Sequence, residues 1–400
     1  MTAADTVPGA AGATPLSMTL TGSVAARMAA IADEVAGPAA ADVDARSRFP
    51  RETVEALRAE GLLAALVPVA LGGGGATLDE VSEGLIALGK RCASSAMVVA
   101  MHHIQVGCLV RHGDNDLLRD YLRALSEHQY LLASATTEVG TGGDVRSSIC
   151  ALEVTDGTFH VEKQAPVISY ADDADAVLVT ARRNADSPES DQVIVLCRPP
   201  GLELEPTGGW DVLGFRGTCS TGYLLRASGD ARAVLTEPYS DISTRTMLPL
   251  AHLLWSSVWL GIATDAVELA RRFVQAEARR KPGSTPPAAV RLAQTTVVHQ
   301  QFVDMVRSSL ARFEEADADG DRLSSIGFGV GMNALKVSSS TLVVDIVREC
   351  MLICGLASYR LDSPYTLGRH LRDAMGAALM VNNDRIMANN AQMLLVHRGE

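Results

Sequence analysis

The 400-residue sequence predicts a mainly helical protein interrupted by a central β-domain. Three observations carry that prediction. Apolar residues recur at helical spacing up to about residue 132. Short β-rich runs bounded by turn residues occupy about 133–238. Four helix-length patterns fill 239–400, enough for a four-helix bundle. The length suits two or three domains. Residues 1–19, rich in Ala, Gly and Thr, read as a disordered tail without the basic start and apolar centre of a signal peptide.

The elements follow in order. Pro50 falls in the first turn of a helix, acids follow it, and Val54, Leu57, Leu62 and Leu66 continue an apolar face. Pro68 and the glycines 72–75 end it, and Leu78, Val81, Leu85 and Leu88 start the next amphipathic face. The strand-like runs include 159–162, 176–179 and 192–196, with 184–191 as a hairpin loop, which suits a small antiparallel β-domain. The long helices run near 248–280, 287–316, 327–354 and 369–396. The glycines 72–75 lack a following Lys-Ser/Thr and make a turn, not a phosphate loop. The acidic run 314–321 does not place its glycine and glutamate as a calcium loop requires and reads as a solvated connection.

The net charge of −12 disfavours nucleic acid and anionic membrane as partners, since both need a basic patch. No stretch of eighteen uncharged apolar residues predicts a membrane span. Seven cysteines without CxxC spacing argue against a disulfide frame or a zinc site and suit a reducing cytoplasm.

Several motifs resemble those of the acyl-CoA dehydrogenase family, in order from about Phe49 onward. The run Gly61-Leu62 to Pro68, then Gly72-Gly73, is similar to an N-terminal motif of that family. Thr136-Thr137-Glu138-Val139-Gly140-Thr141-Gly142-Gly143-Asp144 is similar to its flavin- and thioester-contacting loop, with Val139 and Gly143 in place of the usual proline and serine. Val167-Ile168-Ser169 resembles a tryptophan–isoleucine–threonine triplet whose hydroxyl sits near the flavin. Arg279 with Pro282-Gly283 resembles a motif whose arginine reaches the FAD of a neighbouring subunit, and a guanidinium suits phosphate through paired charged bonds. Gly355 matches the end of a glutamine–glycine–glycine motif, and Leu213-Gly214-Phe215-Arg216-Gly217 a turn closing the β-domain. Arg372-Asp373-Ala374 looks like the family's arginine–aspartate–alanine signature.

The resemblance implies an FAD-dependent oxidoreductase acting on an acyl thioester of CoA or an acyl carrier protein, as a homodimer or homotetramer. Thr137, Ser169, Arg279 and Gly355 are its implied cofactor contacts; Gly143, Arg216 and Val381 are its implied substrate contacts. Its usual glutamate base, seven residues after the signature alanine, is Val381 here. The alternative glutamate position on the first long bundle helix falls at about Ala251. Two substitutes remain as candidate bases. Asp384 lies one helical turn beyond Val381, and His252 lies beside Ala251. Each also reads as an ordinary residue: a capping aspartate, a core histidine. His102 and His103 read as packing or pocket lining. Without a base, the same fold suits a flavin monooxygenase or N-hydroxylase, or a catalytically silent partner subunit.

Overall fold

The computed structural model describes residues 22–142 and 144–397. The predicted tail, 1–19, lies outside the described residues. Six helices come first: α1 (Val24–Ile31), α2 (Gly37–Arg46), α3 (Arg51–Ala59), α4 (Leu78–Arg91), α5 (Ala93–His112) and α6 (Asp116–His128). The face expected to run from Val54 to Leu66 is broken: α3 stops at Ala59, Gly61 takes φ +69°, and Leu62–Ala64 form a separate 3₁₀ turn. The α4 start is fixed by a capping box in which Thr77 and Glu80 bond each other's backbone N–H. Two spans, Ala93–His112 and Tyr239–Arg280, are long and apolar enough to cross a membrane, yet 89% of each apolar window is buried inside the fold. Here they are core helices, apolar all round because they are covered all round.

The middle of the chain forms β1 (Leu132–Ala135), β2 (Glu153–Thr155), β3 (Thr158–Ile168), β4 (Ala176–Arg182), β5 (Gln192–Cys197), β6 (Leu202–Pro206) and β7 (Thr221–Asp230). They make two sheets, ordered β1-β4-β5 and β2-β3-β7-β6. The expected hairpin joins β4 to β5, but the domain is not wholly antiparallel, because β1 pairs with β4 in parallel. Along β3, Phe159, Val161, Lys163 and Ala165 are buried while His160, Glu162 and Gln164 are exposed, the alternation of a half-covered sheet. A lysine therefore occupies an inward position.

The last third contains α7 (Tyr239–Ile242), α8 (Leu248–Arg280), α9 (Ala289–Ala318), α10 (Ile326–Cys354), α11 (Leu356–Tyr359), α12 (Gly368–Gly376) and α13 (Asn383–Val396). Three of the four predicted long helices are α8, α9 and α10. The fourth is split. Between α12 and α13 the chain turns over residues 377–382, and Val381 adopts φ +45°. A β-branched residue in the left-handed region is strained and persists only where its surroundings hold it there.

The Arg372-Asp373 signature fastens the three parts together. Arg372 pairs through both terminal nitrogens with Asp44 on α2, and Nη1 also donates to the Leu213 carbonyl at 2.9 Å. Asp373, buried, accepts from the Phe215 N–H at 2.6 Å. Burial pushes its carboxyl up to about 6, against the pull of that hydrogen bond. Gly214 packs onto the Arg372 carbonyl with no room for a Cβ.

Candidate functional site

The loop after β1 carries Thr137 and Glu138 in opposite directions. Glu138 turns inward. Its carboxylate accepts from the Ser148 hydroxyl (2.7 Å), the Ile149 N–H (3.1 Å) and the Cys150 N–H (2.7 Å), and lies 3.8 Å from Lys163 Nζ. Lys163 completes its bonds on Thr180, at 2.7 Å to the carbonyl and 3.0 Å to the hydroxyl. Thr137 turns outward, half-buried, and donates to the Val167 carbonyl at 3.3 Å. Ser169, two residues on, is half-buried and 2.8 Å from the Ser220 hydroxyl, itself 2.9 Å from that of Thr218. The structure thus brings Thr137 and Ser169 onto neighbouring loops at one edge of the β-domain. Gly143 lies outside the described residues.

The helix α13, which follows the turn 377–382, touches the loop that carries Thr137. Arg385, on the first turn of α13, donates to the Gly142 carbonyl, and Arg146 donates to Asn389 at 3.2 Å. Val381 is half-buried in the turn. Its carbonyl accepts from Lys336 Nζ at 2.8 Å, and Asn383 Oδ1 accepts from the same ammonium at 2.7 Å. Lys336 is fully buried and sits 6.0 Å from the centre of the Trp259 ring. Burial pulls its ammonium down to about 8. Composition reading passed over this lysine, yet a signal existed: between Arg322 and Asp345 it is the sole charged residue.

The two candidate bases are placed very differently. Helical spacing set Asp384 beside Val381, and that reasoning required one continuous helix. The split removes it: Asp384 is exposed at the start of α13, and its N–H donates to the capping Asn382 side chain at 2.8 Å. His252 is buried between α8 and α10. Its Nδ1 lies 3.1 Å from the Met332 carbonyl and its Nε2 has no partner. Burial, reinforced by the Lys336 charge, pulls its pKa down to about 3, so the ring is neutral. His102 bridges the Leu63 carbonyl (2.7 Å) and the Leu132 N–H (3.0 Å), as a core histidine does. His103 is buried with neither nitrogen bonded.

Arg216 spends its Nε on the Asp44 carbonyl (2.8 Å) and its Nη1 on the Val212 carbonyl (2.7 Å), tying α2 to the β-domain. Arg279 is exposed, with no ion pair among the described residues. It follows His252 by 27 residues of one helix, or roughly 40 Å at the helical rise. Gly355 ends α10 at φ +59°, ψ −141°, a conformation essentially reserved for glycine. Lys336 and Gly355 are 19 residues apart on one helix, roughly 28 Å. Within one chain, then, Thr137 and Ser169 lie on neighbouring loops, Val381 lies in a turn whose following helix touches the 136–142 loop through Arg385, and Arg279 and Gly355 lie toward the far ends of their helices.

Comparison with known proteins bears on this arrangement. The acyl-CoA dehydrogenase N-terminal domain matches residues 23–129, and the acyl-CoA dehydrogenase C-terminal domain matches 243–393. A probable acyl-CoA dehydrogenase, fadE25 of Mycobacterium leprae, is 32% identical over 87% of this chain and 88% of its own. The amino sugar nitrososynthase DnmZ of Streptomyces peucetius is 28% identical over 85% of this chain and 84% of its own. Among solved structures, butyryl-CoA dehydrogenase from Megasphaera elsdenii superposes with a TM-score of 0.78 at 17% identity, over 95% of this chain and all (100%) of that one, a likeness of fold.

Proposed function

The chain belongs to the acyl-CoA dehydrogenase family, and from that premise we propose that it is a flavin-dependent monooxygenase, adding oxygen to nitrogen or sulfur of a small substrate. One observation carries this reading: neither position at which the family keeps its glutamate base holds a carboxylate, Val381 standing at one and Ala251 at the other. Val381 offers a methyl pair and a carbonyl already bonded to Lys336. Glu138 is committed to three donors, and Asp384 points to solvent. Proton abstraction from a substrate carbon needs a positioned base within bonding reach. Oxygen addition to a nucleophilic nitrogen or sulfur does not.

The flavin fits the residues present. The Thr137 and Ser169 hydroxyls suit the polar edge of its ring, and the left-handed glycines Gly140 and Gly142 let backbone approach it closely. The exposed Arg279 suits the pyrophosphate of FAD on an adjacent copy, which makes the working form a homo-oligomer and favours FAD over FMN. When bound, the flavin supplies the redox and oxygen chemistry. The chain contributes binding, an apolar side chain at Val381 and a fixed turn. The nitrososynthase relative supports a nitrogen substrate.

A second reading is α,β-dehydrogenation of an acyl thioester, and the 32% identical relative favours it. His252, neutral and buried, or Asp384 would then take the proton. The deciding experiment mixes flavin-loaded protein anaerobically with butyryl- and octanoyl-CoA. We expect no bleaching of the flavin, and oxygen uptake when reduced flavin is presented with amine and sulfide substrates. Rapid anaerobic bleaching by a thioester would overturn the monooxygenase reading.

A further inference from the structure

Lys163 and Lys336 are the only lysine or arginine side chains buried among the described residues. Lys163 has Glu138; Lys336 forms no ion pair among the described residues. An ammonium taken out of water without a counter-charge is costly, so its remaining bonds must be specific. They converge on one feature. Two of its hydrogen bonds end on the Val381 carbonyl and on Asn383 Oδ1, on either side of the capping residue Asn382. The Asn383 amide in turn donates to Ser340 on α10 at 3.0 Å, so two α10 side chains grip the entry to α13. The gripped segment contains Val381 at φ +45° and faces the 136–142 loop through Arg385.

We propose that Lys336 is a positioning residue: its bonds to Val381 and Asn383 hold the 377–382 turn, with Val381 left-handed, and thereby set how α13 meets the 136–142 loop. That this contact borders a flavin site rests on the function proposed above; that Lys336 holds the turn does not.

The test uses the full-length protein and the variant Lys336→Met, which keeps the stem and removes the donors. Amide hydrogen exchange of peptides covering 377–386 should quicken about tenfold or more in the folded variant, with β4 and β5 unchanged. Adding Val381→Gly should slow it again severalfold, because glycine adopts the left-handed turn without a clamp; a mere packing defect at position 336 would not be rescued this way. Titration with FAD provides the second measurement. The visible spectrum or affinity of bound FAD should change in Lys336→Met and return in the double variant. Unchanged exchange at 377–386, or exchange quickened equally everywhere, overturns the clamp. Quickened exchange with an unchanged FAD spectrum and affinity overturns the role at the site. A parent that binds no FAD sinks the proposed function alone, the exchange result still deciding the clamp. If Lys336→Met does not fold, Asn383→Ala removes one acceptor only and should show the same local quickening to a smaller degree; unchanged exchange there overturns the clamp equally.

Discussion

Two buried lysines set the β-domain and the bundle apart. Lys163 points inward from β3 and meets a carboxylate, a carbonyl and a hydroxyl, so its charge is answered within the sheet. Lys336 points inward from α10 and meets a carbonyl, an amide oxygen and an indole face. Burial pulls both ammonium groups below their ordinary value. The first is part of a closed internal network whose partners all belong to the β-domain. The second reaches out of its helix to a strained turn. A buried charge with a counter-charge teaches how a core is held; one without teaches what the core is holding.

Four measurements break or sharpen that comparison. The largest effect belongs to Glu138→Ala, which strands Lys163 and leaves the Ile149 and Cys150 N–H groups unbonded. Loss of one partner from a buried pair costs about 3–5 kcal/mol, so denaturant unfolding should show a loss of that size; a loss under about 1 kcal/mol would mean the network is not closed. Lys336→Met should cost less, about 1–3 kcal/mol near neutral pH. Its pH dependence carries a definite sign. The folded-state pKa of Lys336, about 8, lies below the ordinary 10.5, so the burden of charging it is present below pH 8 and disappears as pH rises to 10.5. The stability of the parent relative to Lys336→Met should therefore rise across that window, and a flat difference would refute the shift.

Arg372→Ala, at a half-buried pair outside both lysine networks, should cost about 1–2 kcal/mol by the same unfolding measurement. The smallest effect is expected at Asp384→Asn: exposed, it should change stability by no more than about 0.5 kcal/mol, and it should leave turnover within a few-fold of the parent. A loss of roughly 10²-fold or more in turnover would instead make Asp384 the base and restore the dehydrogenase reading.

The helix–strand–helix order, the hairpin at 184–191 and the three long helices were legible because apolar periodicity and turn residues encode them locally. The break between α12 and α13 was not. Residues 369–396 contain no proline, and their one glycine, Gly376, closes α12 rather than forming the left-handed turn. That turn falls on Val381, a residue with no turn preference, and the bonds that hold it come from Lys336, 45 positions earlier. Local rules therefore read straight through it and drew Asp384 onto a face that does not exist. Motif order set Thr137 and Ser169 together, and the Thr137–Val167 bond shows why two loops thirty residues apart are adjacent. Arg216 illustrates the opposite limit: its residue type suits phosphate, but in the fold its donors serve the chain itself.

The Arg372 fastening has a consequence for how the protein is made. Asp44 and Arg372 are separated by 328 residues. At ribosomal rates of about 5–20 residues per second, α2 waits roughly 16–65 s for its partner to be synthesised. Until then the Leu213 carbonyl and the backbone seat at Gly214 are open to water and to other chains. A messenger truncated before codon 369 would yield a product with its helical start and its sheets formed and its seam unclosed, a natural substrate for chaperones and proteases.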